Sequence, residues 1–194
     1  MKRFSFLFLL ITLGIFVSAC AVTPPRHMAF KEDPSFNIRS VKPEAGKAAL
    51  IVARTISFGG AIEFDTYLDK KMIGVTQWKS YFVKTDITPG THYVISKAEN
   101  KEPAKIDFEP NKIYLMHQIP RIGVWKARVS IALVTFEQLL PGFDDSCRLL
   151  TYDSKNLGDD LSDSDFNEAV NDYERELREG RHQDHVSYRG LSVK

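Results

Sequence analysis

Cysteine is scarce in this chain: Cys20 and Cys147 are the two in 194 residues. A pair cannot supply the disulfide framework that holds small secreted scaffolds together. Charge of one sign is missing as well. Lys and Arg number 26 against 25 Asp and Glu, for a formal net charge of +1, so there is no basic excess of the kind nucleic-acid binding favours. No nucleophile elbow occurs, and no Gly-rich loop follows a strand and opens a helix to cradle phosphate. The sequence therefore predicts no catalytic residues, no cofactor and no nucleic-acid partner. Acid pairs do occur, Asp144-Asp145 and Asp159-Asp160. They sit beside Gly and Ser in loop-like segments, where solvated carboxylates are the ordinary outcome and an acid–base pair the exception.

Long apolar runs are also lacking, with one exception at the start. Lys2 and Arg3 precede an uncharged, mostly apolar stretch from Phe4 to Phe16. At 13 residues this stretch falls short of the ~20 that a membrane span needs. A positive start, an apolar middle and the small residues Ser18 and Ala19 read instead as a secretory signal.

Val17-Ser18-Ala19-Cys20 resembles the lipobox of bacterial lipoproteins, an aliphatic residue and two small residues before a cysteine. The resemblance implies that Val17, Ser18 and Ala19 are recognised by the signal peptidase. It also implies that residues 1–19 are removed and that Cys20 becomes the lipidated first residue, carrying palmitate-type chains. One acyl chain gives only marginal binding at about 0.8 kcal/mol per methylene. The three chains typical of that family imply a permanent anchor. Ala21 follows where an aspartate commonly retains such proteins of enteric-type bacteria in the inner membrane. Its presence implies delivery to the outer membrane, facing the periplasm.

The mature chain divides by composition. Residues 20–47 carry Pro24-Pro25, Pro34 and Pro43 and read as a semi-rigid tether that holds the domain off the bilayer. Met28, Phe30, Phe36 and Ile38 are apolar enough for part of it to lie against the domain instead. Residues 48–140 read as short strands divided by turns. Leu50, Val52 and Ile56 alternate, and Gly59-Gly60 suggests a tight hairpin to Ile62–Leu68. Asp69-Lys70-Lys71 is a second turn, Pro89-Gly90 suits a type II turn, and strands are expected over Lys105–Phe108, Lys112–Ile119 and Ala127–Phe136. This spacing predicts a mainly β chain, an antiparallel β-sandwich. Residues 141–194 form a C-terminal extension with a short amphipathic helix over about 165–179, its face being Phe166, Val170, Tyr173 and Leu177. The tail beyond Gly180 reads as polar and frayed.

The β region resembles a domain-of-unknown-function family of small bacterial lipoproteins, and the wider transthyretin-like and PEGA-like sandwich modules. Ala49-Leu50-Ile51-Val52-Ala53-Arg54, Leu68-Asp69-Lys70-Lys71-Met72-Ile73-Gly74, Tyr81-Phe82-Val83, Pro89-Gly90-Thr91-His92, Asn111-Lys112-Ile113-Tyr114 and Val134 carry the likeness. Members usually have glycine where Asn111 stands. The resemblance implies a fold and an address, and no activity.

Candidate binding residues are few. Trp78, Tyr81 and Trp125 could form an aromatic platform for cell-wall sugar rings, although core packing is the default for such residues. His182 and His185 flank Asp184 at a spacing that could hold an ion on a helix, but a solvated tail is the expected state and no metal site is predicted. His117 alternates with sheet residues, and His92 is placed to satisfy a backbone carbonyl at its turn. Cys147 reads as a small buried apolar residue or, alternatively, as a thiol that pairs between two chains. The expectation is thus a non-catalytic interaction or structural module of the cell envelope, with an envelope protein as partner; a glycan-binding or small-ligand-binding module is the alternative.

Overall fold

The computed structural model describes residues 24–31, 36–123, 127–152 and 157–192. The strands are β1 (Met28–Phe30), β2 (Ala48–Arg54), β3 (Phe64–Leu68), β4 (Lys71–Thr76), β5 (Ser80–Ile87) and β6 (Gly90–Lys97). They continue as β7 (Lys101–Phe108), β8 (Lys112–Ile122), β9 (Ala127–Leu133), β10 (Arg148–Tyr152) and β11 (Leu191–Ser192). Helices α1 (Phe136–Leu139), α2 (Asp163–Arg178) and α3 (Gln183–Ser187) fall in the second half. Among the described residues no helix is long and apolar enough to cross a membrane.

The continuous apolar run of β2 predicts a strand covered on both faces, and every residue of β2 is buried. It lies inside a sheet ordered β1-β10-β5-β2-β8-β11, with β9 also on β8. A second sheet runs β4-β3-β6-β7. One face of the first sheet, through Leu50, Val52, Phe82 and Met116, shares a core with Ile73, Val75, Val94 and Ile106 of the second. Its other face, through Ala49, Ile51, Ala53 and Tyr81, packs on Ile38, Val41, Phe136 and Leu139. The sheets approach closely at Gly74, where a Cβ would stand 2.7 Å from the Phe82 ring.

One polar cluster sits inside this core. The Gln118 amide donates to Thr66 Oγ1 at 3.0 Å and to Ser96 Oγ at 2.7 Å. Its carbonyl accepts from the Thr76 hydroxyl. All four residues are fully buried, and every group is satisfied, so the cluster ties three strands of one sheet to β8 of the other and fixes their register.

Several expectations change. The sheets are not purely antiparallel: β10 pairs with β5, and β2 with β8, in parallel. Gly59-Gly60 is not a hairpin turn, because β2 and β3 belong to different sheets and residues 55–63 cross between them. The hairpin at Asp69 holds, with Asp69 at φ 55°. Pro89-Gly90 and Pro110-Asn111 also carry the chain between sheets, and Asn111 takes φ 59°, the conformation that glycine tolerates best and asparagine next. β7 starts at Lys101, ahead of the expected Lys105, because Pro103 faces Ile95 on an edge strand that needs no further donor.

The tether is shorter than read from sequence. Residues 28–30 form β1 against β10, and Ile38 and Val41 are buried under the first sheet. The C-terminal extension is likewise part of the fold. It supplies β10 inside the first sheet and β11 on β8. Helix α2 is capped by the Ser162 hydroxyl accepting from Asp165 N. It buries Ala169 and Tyr173, while Phe166, Val170 and Leu177 are only half-buried. Lys101 bridges Asp165 at 2.7 Å and Glu168 at 2.5 Å, and Lys105 meets Glu174 at 2.7 Å, so the lysines of β7 align the helix.

Candidate functional site

Four connections meet at one end of the sheets. They are residues 55–63 after β2, the 77–79 turn before β5, the start of β9 and the 142–147 segment before β10. A Cβ on Gly60 would lie 3.5 Å from the Trp78 ring, one on Gly59 4.0 Å from Ala127, and one on Gly142 2.5 Å from Thr55 Oγ1. Arg148 N donates to Lys79 O at 2.9 Å.

Arg54 organises this end. Its guanidinium is fully buried and donates to Ile62 O at 2.6 Å and to the Phe58 and Gly59 carbonyls at 2.8 Å each. The plane lies 4.2 Å from the Phe64 ring centroid. Burial pulls its pKa down to about 10, and Nε is the one buried side-chain nitrogen or oxygen without a hydrogen-bond partner among the described residues. This role is not legible in the sequence, because an arginine closing an apolar strand reads as an exposed strand end. Arg54 thus holds residues 58–62 in one shape, and the loop displays Ile56 and Phe58 to solvent.

The predicted aromatic platform is not assembled as expected. Tyr81 is a core residue: it is buried, and its ring lies tilted, 5.0 Å from Phe143 and 6.2 Å from Phe36. β5 turns it inward because the first sheet is covered on both faces. Trp78 is half-buried over Gly60, beside a hollow of about 50 Å³, well below the roughly 300 Å³ of a small-molecule pocket. Trp125 lies outside the described residues, as do Val17, Ser18, Ala19, Cys20 and Ala21.

The titratable groups singled out in the sequence are engaged structurally. His92 joins Asp69 Oδ2 at 2.9 Å to the Thr88 carbonyl at 3.0 Å, the turn role expected of it. His117 meets Thr55 Oγ1 at 3.1 Å, and burial lowers its pKa. Lys79 and Ser146 hold Asp144 down to about 2. Asp160 accepts from Met72 N at 3.0 Å. Cys147 is a free, half-buried thiol whose pKa burial raises, the wrong direction for a nucleophile.

The tail is docked on the domain, not frayed. His185 is buried and stacks parallel to Tyr173 at 6.0 Å, and His182 stacks on Tyr173 at 5.0 Å while meeting Glu176 at 2.7 Å. Desolvation lowers the pKa of His185. Next to this stack, Glu99, Glu102, Arg128 and Glu168 line a groove of about 590 Å³ between α2 and β7. Among the described residues no group of three or more His, Cys, Asp or Glu is placed to hold a metal ion.

Burial also governs the tyrosines. It pushes Tyr67, Tyr173 and Tyr188 up to about 12, and raises Tyr93, Tyr114 and Tyr152 as well, from the ordinary 10.0. An unfolded phenol ionises near 10 while these hold their protons, so the folded chain binds more protons between about 10 and 12 and stability falls across that window. Arg54, with its lowered pKa, works in the opposite direction, but it is one group against six. Alkaline titration is expected to show phenolate absorbance rising together with loss of the β circular-dichroism signal. A phenolate rise centred at 10 with the sheet signal intact would contradict the burial.

The chain is similar to an uncharacterized protein of Haemophilus influenzae (strain Rd), 29% identical over 130 residues that cover 66% of this chain and 75% of the relative. No family model matches the chain, and no solved structure matches it.

Proposed function

We propose that this protein is a lipid-anchored component of the bacterial cell envelope, held through Cys20 in the outer membrane and facing the periplasm. There it acts as a non-catalytic interaction or structural module. The observation that carries the reading is Val17-Ser18-Ala19-Cys20 behind an apolar run too short to span a bilayer. Ala21 supports the outer-membrane address. The shared core between the sheets supports the finer reading of the fold as a β-sandwich with a docked C-terminal helix, in keeping with the resemblance to lipoprotein sandwich modules. Support for a non-catalytic role comes from the histidines and acids, which are engaged in turns, caps and ion pairs. A glycan-binding module is the alternative; it keeps Trp78 but loses Tyr81 to the core, so the interaction module is preferred.

Metabolic labelling with a palmitate analogue tests the anchor. The full chain is expected to take up label, and Cys20→Ala to abolish it and leave the precursor uncleaved, since only a thiol there accepts the lipid. Normal processing of the variant, read by mass spectrometry of its N-terminus, would sink the anchor.

A further inference from the structure

Large apolar side chains are exposed mainly at one place. Ile122 is 85% exposed, Phe58 54% and Ile56 36%, and among the described residues the remaining one is Val186 on α3. Ile56 and Phe58 lie in the loop that Arg54 clamps. Ile122 pairs with Ala127, which a Cβ on Gly59 of that loop would approach to 4.0 Å. The three thus project from adjoining segments at one end of the sheets, Ile56 and Phe58 on a loop held in shape from beneath.

Charge on the β8–β9 hairpin itself is one-sided, although Glu63 and Asp144 lie in the neighbouring connections and Glu99 lines a groove with Arg128. From Lys112 to Phe136 the sequence contains no acidic residue. Arg121 and Arg128 are cross-strand partners, both exposed, and like charges directly opposite on a hairpin repel. Neither forms an ion pair among the described residues. Such a pair is relieved by an anionic surface, and apolar tips beside it suit a surface with an apolar interior. Together these are the features of an anionic lipid bilayer.

The N-terminal segment touches the end of the same loop, while Arg26 also pairs with Asp65 of β3 and Met28 pairs with Tyr152, at the end of β10 away from Arg148. Arg26 N donates to Glu63 Oε1 at 2.9 Å and its Nε meets Glu63 Oε2 at 3.1 Å, and Glu63 ends the 55–63 loop. Cys20 precedes Arg26 by six residues, a reach of about 20 Å at full extension. We infer that the end carrying Ile56, Phe58 and Ile122 rests on the lipid headgroups of the membrane that holds the anchor, with Phe58 and Ile122 dipping into the acyl boundary. This orientation rests on the lipidation of Cys20 proposed above. The domain then sits against the bilayer and presents its opposite end, where β2 begins, to the periplasm.

The test uses the full chain, lipidated in cells and reconstituted in vesicles of phosphatidylethanolamine and phosphatidylglycerol, in a Cys147→Ser background. A polarity-sensitive fluorophore is attached at Phe58→Cys, at Ile122→Cys or at Ala45→Cys, the last exposed beyond the far end of β2. Probes at 58 and 122 are expected to shift to the blue. Nitroxide on the lipid chains should quench them several-fold more than the probe at 45. Equal quenching at all three sites in palmitate-labelled protein would overturn the orientation and leave the anchor standing. Self-quenching at 122 that depends on protein concentration but not on lipid nitroxide would also overturn it, in favour of contact between two copies. Absence of palmitate on Cys20 would remove the anchor and the orientation together.

Discussion

Ending the chain after Gly180 is expected to lower its stability by on the order of 5 kcal/mol, a large part of the ~5–15 kcal/mol typical of a domain. The removed residues fill a gap in the first sheet. β11 pairs with the start of β8 through Leu191 and Ile113, while β9 pairs with β8 from Met116 onward. Between them the Tyr188 hydroxyl accepts from Leu115 N at 3.4 Å and donates to the Val134 carbonyl at 2.6 Å, and its ring stands edge-on to Tyr114 at 5.8 Å. Gly190, at φ 64°, has no side chain because a Cβ would sit 2.8 Å from Tyr114. His185 fills the space beside Tyr173. Burying His185 and half-burying Tyr188 contributes at most about 1.5–3 kcal/mol each, the value for a fully buried apolar side chain, and the bridging hydroxyl about 1 kcal/mol or more. Tyr188→Phe isolates the hydroxyl and should cost about 1–3 kcal/mol, because two backbone groups lose their partner. Urea midpoints for both variants, with the slope unchanged for Tyr188→Phe, check the ledger. A truncated chain as stable as the full one would return the tail to solvent.

That result bears on what the sequence can reveal. Strand positions in the middle of the chain were legible because β-branched runs alternate with Gly, Pro and Asp turns, and α2 because a serine cap precedes an acidic first turn. Pairing was not legible. Gly59-Gly60 looks like a hairpin turn in any local reading, and its true role depends on a guanidinium that reaches the loop from β2. β10 is inserted between β1 and β5, two strands distant in sequence, and nothing in Arg148–Tyr152 says so. The tail is mostly polar, and its order comes from Tyr188 and His185, two residues with one apolar face each and a polar atom that finds a partner. Composition cannot distinguish that from a frayed end. The same holds for the exposed end of the sheets. Phe58 and Ile122 carry no periodic signal, and only the folding of 55–63 against β9 brings them together.

The second large effect is expected at Arg54. Its lowered pKa, about 10 against an ordinary 12.5, means that keeping the buried charge costs about 3 kcal/mol at 1.36 kcal/mol per unit. The sign follows from linkage: the unfolded chain holds this proton more tightly, so the cost applies at neutral pH and fades only as pH rises through that window. Against it stand three hydrogen bonds from a charged donor to Ile62, Phe58 and Gly59 carbonyls, each contributing about 1.5–3 kcal/mol. The bonds outweigh the desolvation, so Arg54→Met is expected to destabilise by about 3 kcal/mol although it removes an unpaired Nε. Arg54→Lys should recover less than half of this, since a single ammonium cannot span carbonyls that the planar fork reaches together. Loss of the clamp should also be visible locally. Phe58 is exposed yet fixed, so chymotrypsin should cut the native chain slowly at this site and the Arg54→Met chain far faster, under conditions where both remain folded by circular dichroism. Equal cleavage and equal denaturation midpoints would mean that residues 55–63 hold their shape without the guanidinium. The rigid display of Ile56 and Phe58 would then need another cause.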